Sequence, residues 1–148
     1  MSLKVLVLGS NGLVGSSVKR IFEGDNFFTE VHSSNRNDTN LFLLDQTKEL
    51  IESKQPNIIV NAAAKVGGIL ANNINRTEFI LENLKININV LESIIPYPEI
   101  KLINLGSSCI YPLGAQNPIK ESSLMTGSLE PTNSPYAMAK LTAIEMGD

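Results

Sequence analysis

A doubly wound α/β domain with a parallel sheet is what this sequence predicts, and three observations carry the prediction. Strand-sized runs rich in branched aliphatic residues alternate along the chain with segments of helical spacing. The first run, Lys4-Val5-Leu6-Val7-Leu8, is apolar after its opening lysine instead of alternating, the pattern of a strand buried on both faces. It leads directly into Gly9-Ser10-Asn11-Gly12-Leu13-Val14-Gly15, a glycine turn that opens a helix.

The elements follow in order. Residues 13–22 have helical spacing, and Phe27 to His32 read as a second strand. Ser33 to Asn40 are too polar to pack and read as a loop. Leu41-Phe42-Leu43-Leu44 fit either a third strand or a buried turn, which periodicity does not decide. Asp45 is placed to cap a helix over 46–53. Residues 56–62 give a fourth strand signal, interrupted by Gly67-Gly68. A long helix through Thr77 to Ile94 is ended by Pro96 and Pro98. Lys101 to Leu105 form a fifth strand that delivers Gly106-Ser107-Ser108-Cys109 at its C-terminal end. A loop rich in Pro, Gly and Ser covers 112–135, and the last helix carries Tyr136 and Lys140. No repeat, low-complexity tract or linker divides the chain, so 1–148 are expected to form one domain, a sheet incomplete on its C-terminal side.

Composition narrows the function classes. At 148 residues, 43% hydrophobic and 18% charged, the chain has the make-up of an ordinary soluble globular domain. Twelve basic against fifteen acidic residues, with no basic cluster, argue against nucleic acid as a partner. No apolar run is long enough for a transmembrane helix, and the start lacks the regions of a signal peptide. The single cysteine, Cys109, cannot form an intramolecular disulfide, which fits a reducing cytoplasm. No metal site is expected.

The spacing Gly9-x-x-Gly12-x-x-Gly15 gives a tight turn, a close backbone approach to a pyrophosphate and tight packing of helix on strand. Framed by a buried strand and a helix, it predicts dinucleotide binding by Gly9 to Gly15. An acid at the end of the second strand would suit NAD, and an arginine the 2′-phosphate of NADP. Ser33, Ser34, Asn35 and Arg36 occupy that stretch, and the first acid is Asp38. Arg36 is therefore the candidate for the phosphate and NADP(H) the expected cofactor; the alternative is a solvated loop arginine.

Tyr136 and Lys140 are four residues apart, one helical turn along the same face. A nearby cation favours the phenolate and is expected to lower a tyrosine pKa that otherwise sits near ~10, making Tyr136 a proton donor or acceptor at neutral pH. Ser107, at a strand C-terminus, is positioned to share the same substrate oxygen. Cys109 taken alone reads as a small buried hydrophobe. His32 reads as structural. Asn72 and Asn73 fit turn formation or substrate contact, and Lys65 either a solvated charge or a phosphate ligand.

The glycine turn with the Ser/Tyr/Lys set resembles the extended short-chain dehydrogenases/reductases of Rossmann fold. Three stretches resemble the GDP-L-fucose synthase family within them: residues 62–69 with Ala71-Asn72-Asn73; Gly106-Ser107-Ser108-Cys109-Ile110-Tyr111-Pro112; and Leu129-Glu130-Pro131-Thr132-Asn133 running into Pro135-Tyr136-Ala137. The resemblance covers the whole chain, and Lys65-Val66-Gly67-Gly68 and Ser107-Ser108-Cys109-Ile110-Tyr111-Pro112 are more specific than the glycine turn and the Tyr136/Lys140 pair. It implies NADPH-dependent epimerisation at C3 and C5 and reduction at C4 of a GDP-4-keto-6-deoxy sugar. Cys109 would move the epimerised protons and Tyr136 protonate the C4 oxygen held by Ser107. Lys140 would hold the nicotinamide ribose and depress the Tyr136 pKa. Ala63, Leu105 and Gly106 would join the glycine turn along the cofactor. It also implies a homodimer of the full-length protein, and it puts the last strands, a histidine partnering Cys109 and a GDP-sugar domain outside these residues. Another sugar-nucleotide epimerase or dehydratase, or a non-catalytic dinucleotide-binding module, are the competing readings.

Overall fold

The computed structural model describes residues 3–147. It falls into two compact units, Met1–Ala64 with Lys85–Leu105, and Lys65–Leu84 with Gly106–Asp148.

The first unit is built on four parallel strands, β1 (Lys4–Leu8), β2 (Glu30–Ser34), β3 (Ile58–Asn61) and β4 (Lys101–Asn104), in the order β2-β1-β3-β4. The expected doubly wound parallel sheet is therefore present. From β1 the chain steps to β2 on one side, then returns across β1 to reach β3 on the other. That reversal creates a crevice outside the C-terminal ends of β1 and β3, where such sheets bind ligands. Strand periodicity sorts the core. Leu6 and Leu8 lie on one face with Ile59, against Ile51 of α2 (Leu44–Lys54) and Val90 of α4 (Arg76–Ile94). Val5 and Val7 are also fully buried on the opposite face, and α1 (Leu13–Glu23) packs on β1 and β2.

Four strands replace the five strand signals. Leu41–Leu43 form a turn closed by Leu43 N–H donating to the Asn40 carbonyl. Asp45 lies in the first turn of α2 rather than capping it: Leu43 is the N-cap residue, and the Gln46 side chain accepts from Asn40 N–H instead. The second strand sits later than expected. Phe28 makes ring contacts with Phe22 at 4.6 Å and Phe27 at 5.2 Å, outside the strand, while the polar Ser33 and Ser34 pair with Val7 and Leu8.

Three asparagines tie the C-terminal ends of β3 and β4 to α4. Asn61 Nδ2 donates to Asn104 Oδ1 (3.0 Å) and Asn87 Oδ1 (3.4 Å), and Asn104 Nδ2 donates to Asn87 Oδ1 (3.0 Å). Asn61 Oδ1 accepts from Ala63 N–H at 3.2 Å. Buried amides are costly unless bonded to one another, so this cluster fixes the path of the chain as it leaves β3.

In the second unit the expected last helix is α5 (Ser134–Glu145), and a six-residue helix, α3 (Ile69–Ile74), fills the stretch expected to be only a glycine break. Lys65 Nζ bridges Glu78 (2.9 Å) and Glu82 (3.0 Å) on α4, so it is ion-paired rather than a free solvated charge. Before α5, one carboxylate oxygen of Glu130 accepts from Thr132 N–H (3.0 Å), the Thr132 hydroxyl and Asn133 N–H (3.2 Å). Arg76 donates to the Pro131 carbonyl (2.7 Å) and to Ser134 Oγ (3.0 Å). The Leu129–Asn133 stretch is thus a capping network that sets the entry, and so the rotation, of the helix bearing Tyr136. Among the described residues, no helix is long and apolar enough to cross a membrane, and no His/Cys/Asp/Glu group of three could hold a metal.

Candidate functional site

In the first unit the crevice at the sheet reversal holds a cavity of about 270 Å³. Its walls come from the ends of three strands: Gly9, Asn11 and Gly12 after β1, Ser34 to Arg36 after β2, and Ala62 to Ala64 after β3. Thr39 to Phe42 and Ile86 complete it. Gly9 has φ +73°, and a Cβ there would lie 2.7 Å from Ala63 N. A Cβ at Gly15 would lie 2.2 Å from the Gly9 carbonyl oxygen. Only glycine fits either place, so the turn seats against the β3 exit and α1 starts hard against it. Gly12 is the N-cap of α1, with no side-chain cap and no acid in the first turn. The first-turn amides of Leu13 to Gly15 have no intrahelical acceptor and form the positive end of the helix dipole. Backbone donors and dipole together fit a pyrophosphate.

Arg36 stands at the mouth of this cavity, exposed, with its guanidinium 5.7 Å from the Phe42 ring centroid. Asp38 is turned back on Asn35, accepting from its backbone N–H (3.0 Å) and its side-chain amide. No acidic side chain is among the described residues lining the cavity. Of the expected cofactor residues, Gly9, Asn11, Gly12, Arg36 and Ala63 line it together. Ser10 and Gly15 are buried in the turn and helix start, Leu13 and Val14 are exposed there, and Leu105 and Gly106 follow β4 without lining it. Sequence reading passed over Thr39 to Phe42; their role comes from a turn that periodicity could not tell from a strand.

The second unit holds a separate cavity of about 260 Å³, lined by Ser107, Cys109 and Tyr136 with Val66, Gly67, Asn72, Phe79 and Asn133. Ser107 caps the 3-10 turn Ser108–Ile110, its Oγ accepting from Cys109 N–H (3.5 Å), and lies 3.1 Å from Cys109 Sγ. The chain thereby folds the hydroxyl and the thiol back onto one another. Tyr136 enters from the first turn of α5. Lys140, one turn later, is 3% exposed, with Nζ 5.9 Å from the Tyr136 ring centroid. Ala137, Ala139 and Ala143 are buried around it, small enough to seat the helix closely.

The electrostatics differ from the sequence expectation. Tyr136 is raised above its ordinary pKa, not lowered: burial contributes most, then the negative charge of an ionised Cys109, while hydrogen bonding to Ser107 pulls the other way. Lys140 is itself pushed down by burial, partly offset by Cys109. Helical spacing gives proximity, but at this distance from the ring and in this burial the ammonium does not outweigh desolvation of the phenolate. His32 lies on β2 with Nε2 3.1 Å from a Glu30 carboxylate oxygen, consistent with its structural reading. Asn133 and Phe79 were not foreseen as cavity residues; their signal is three-dimensional only.

A family model described as the NAD dependent epimerase/dehydratase family matches residues 5–147. The "Putative GDP-L-fucose synthase 2" of Arabidopsis thaliana is 43% identical over 98% of this chain and 44% of its own length. The "GDP-L-fucose synthase" of Escherichia coli K12 is 40% identical over 97% of this chain and 44% of its own. The chain therefore spans less than half the length of these relatives. A crystal structure of a GDP-L-fucose synthetase from Naegleria fowleri bound to NADP matches 98% of this chain and 43% of that one, with a TM-score of 0.86 at 28% identity.

Proposed function

The chain belongs to the NAD dependent epimerase/dehydratase family, and from that premise we propose that it is the cofactor-binding and catalytic Ser/Tyr/Lys portion of an NADPH-dependent 3,5-epimerase/4-reductase. Its substrate in this reading is GDP-4-keto-6-deoxy-D-mannose and its product GDP-L-fucose. The observation that carries the reading is the cavity onto which Ser107, Cys109 and Tyr136 all open. A reductase of this superfamily needs the first and last of these; the thiol is what an epimerising step adds. The similarity to GDP-L-fucose synthases at 40–43% identity supports the substrate. The arginine at the mouth of the first cavity, with Asp38 drawn away, supports NADP(H) over NAD(H).

The residues then divide the work. Ser107 Oγ and the Tyr136 hydroxyl donate to the C4 carbonyl oxygen, making the hydrogens on C3 and C5 more acidic. Cys109 moves protons at those carbons as acid/base. The partner on the opposite face is not His32, which is held on β2. Gly9, Gly12, Arg36 and Ala63 with the start of α1 would hold NADPH, whose chemistry would be to supply the hydride for C4. Tyr136 gives its proton to the C4 oxygen. An alkoxide is a far stronger base than a phenolate, so the raised pKa holds that proton until charge develops without hindering its transfer. Lys140 steadies the phenolate left behind. A cytoplasmic setting belongs to the same proposal, and the free thiol of Cys109 fits it. The homodimer belongs to the same proposal.

Single-turnover mixing of the full-length protein with NADPH and the GDP-4-keto sugar tests this. Stoichiometric NADPH oxidation is expected. A 4-epimerase or 4,6-dehydratase retains the hydride within its cycle and would leave NADPH unchanged on completion, which overturns the assignment.

A further inference from the structure

Two polar atoms in the second cavity are not used by that chemistry. Asn72 is 6% exposed and lines the cavity beside Tyr136 and Cys109, and its Oδ1 is buried with no hydrogen-bond partner among the described residues. Its orientation is fixed. Nδ2 donates to the Gly67 carbonyl (2.8 Å) and the Gly68 carbonyl (3.1 Å), so the nitrogen must face those two acceptors and the oxygen must face away. Asn133 repeats the arrangement by a different route. It occupies the N-cap position of α5, where an asparagine oxygen ordinarily accepts from the first-turn amides, yet it makes no side-chain cap. Its Oδ1 is likewise buried without a partner among the described residues, and it lines the same cavity.

A buried amide oxygen left unbonded costs stability comparable to a lost hydrogen bond. Two such oxygens, on two residues that line one cavity, are acceptors without donors among the described residues. A ketone oxygen cannot serve them, because it too only accepts; it goes to the hydroxyls of Ser107 and Tyr136. The donors that a 4-keto sugar offers are its ring hydroxyls. We infer that Asn72 and Asn133 are specificity-determining residues whose side-chain oxygens accept hydrogen bonds from the C2 and C3 hydroxyls of the keto sugar. This rests on the reading of the cavity as the keto-sugar site. The apolar wall of Val66 and Phe79 leaves the remaining contact free of competing donors. Recognition by buried acceptors discriminates sharply against a substrate lacking the matching hydroxyl, since the acceptor is then left unsatisfied.

The test compares the full-length protein with Asn133→Ala and Asn72→Ala on three GDP-4-keto sugars: the parent, its 2-deoxy analogue and its 3-deoxy analogue. NADPH affinity and far-ultraviolet circular dichroism report folding. Because Asn72 also holds the Gly67 and Gly68 carbonyls, Asn133→Ala carries the decision if Asn72→Ala does not fold. Asn133→Ala is expected to lower kcat/KM on the parent about tenfold to a hundredfold. On one deoxy analogue it should change kcat/KM by less than about threefold, the signature of a lost pairwise contact. An equal fall on all three sugars, or no fall on the parent, overturns the inference while leaving the reductase reading intact. Wild-type protein that turns over none of the three overturns both.

Discussion

Ser107 Oγ and Cys109 Sγ lie 3.1 Å apart, with the Ser107 oxygen also accepting from the Cys109 amide. The hydroxyl proposed to hold the ketone oxygen and the thiol proposed to move protons beside it are therefore set by one 3-10 turn. A change to either reaches the other, and through the cavity it reaches Tyr136.

Ser107→Ala is expected to lower ketone reduction by about a hundredfold or more in the full-length protein. Hydrogen bonding to Ser107 is the influence that draws the Tyr136 pKa downward against burial. Its loss should move that pKa further up. Ultraviolet titration of the phenol, read as the difference from Tyr136→Phe, checks the direction; a downward shift would show that Ser107 does not stabilise the phenolate.

Gly9→Ala places a methyl 2.7 Å from Ala63 N at a backbone φ of +73°. Strain of this kind costs on the order of 1–3 kcal/mol, and the β3 exit must shift to make room. NADPH affinity should drop at least about tenfold, measured by fluorescence titration, with a lower denaturation midpoint. Unchanged affinity would mean that the turn does not seat the cofactor.

Glu130 has its pKa held below the ordinary 4.5, first by the Thr132 hydroxyl and then by the Thr132 amide, with smaller help from Asn133 and Arg76. A carboxylate whose folded pKa is depressed adds stability that is present above its unfolded pKa and lost as pH falls through the folded one. Wild-type protein should therefore melt above Glu130→Gln at neutral pH, with the gap closing as pH falls below about 4.5. A gap constant down to the acid limit would remove the charge from the account of this turn.

Much of this was legible in the residues. The glycine turn was readable because Gly9 and Gly15 sit where no side chain fits, a constraint that spacing alone encodes. The Ser107, Cys109 and Tyr136 positions were readable because a strand end and a helix start place them, and the structure opens all three onto one cavity. What failed depended on partners distant in sequence. Phe27 and Phe28 looked like strand residues because a ring cluster and a strand share the same hydrophobicity. Asp45 looked like a cap, but the helix starts at Leu44, so Asp45 falls inside its first turn. The sign of the Tyr136 shift failed because burial is a property of the fold, whereas the spacing to Lys140 is a property of the chain. In the sequence Asn72 fits a turn or a substrate contact equally and Asn133 carries no side-chain role; that both line one cavity with oxygens unpartnered among the described residues depends on the fold.

The most direct test of the central claim is reaction of full-length Tyr136→Phe protein with NADPH and GDP-4-keto-6-deoxy-D-mannose in deuterated water. Deuterium should enter C3 and C5 through Cys109 while NADPH oxidation ceases, and Cys109→Ser should slow that exchange more than it slows reduction. Reduction by Tyr136→Phe at the wild-type rate, or exchange indifferent to Cys109, would contradict the assignment of the two chemistries to this one cavity.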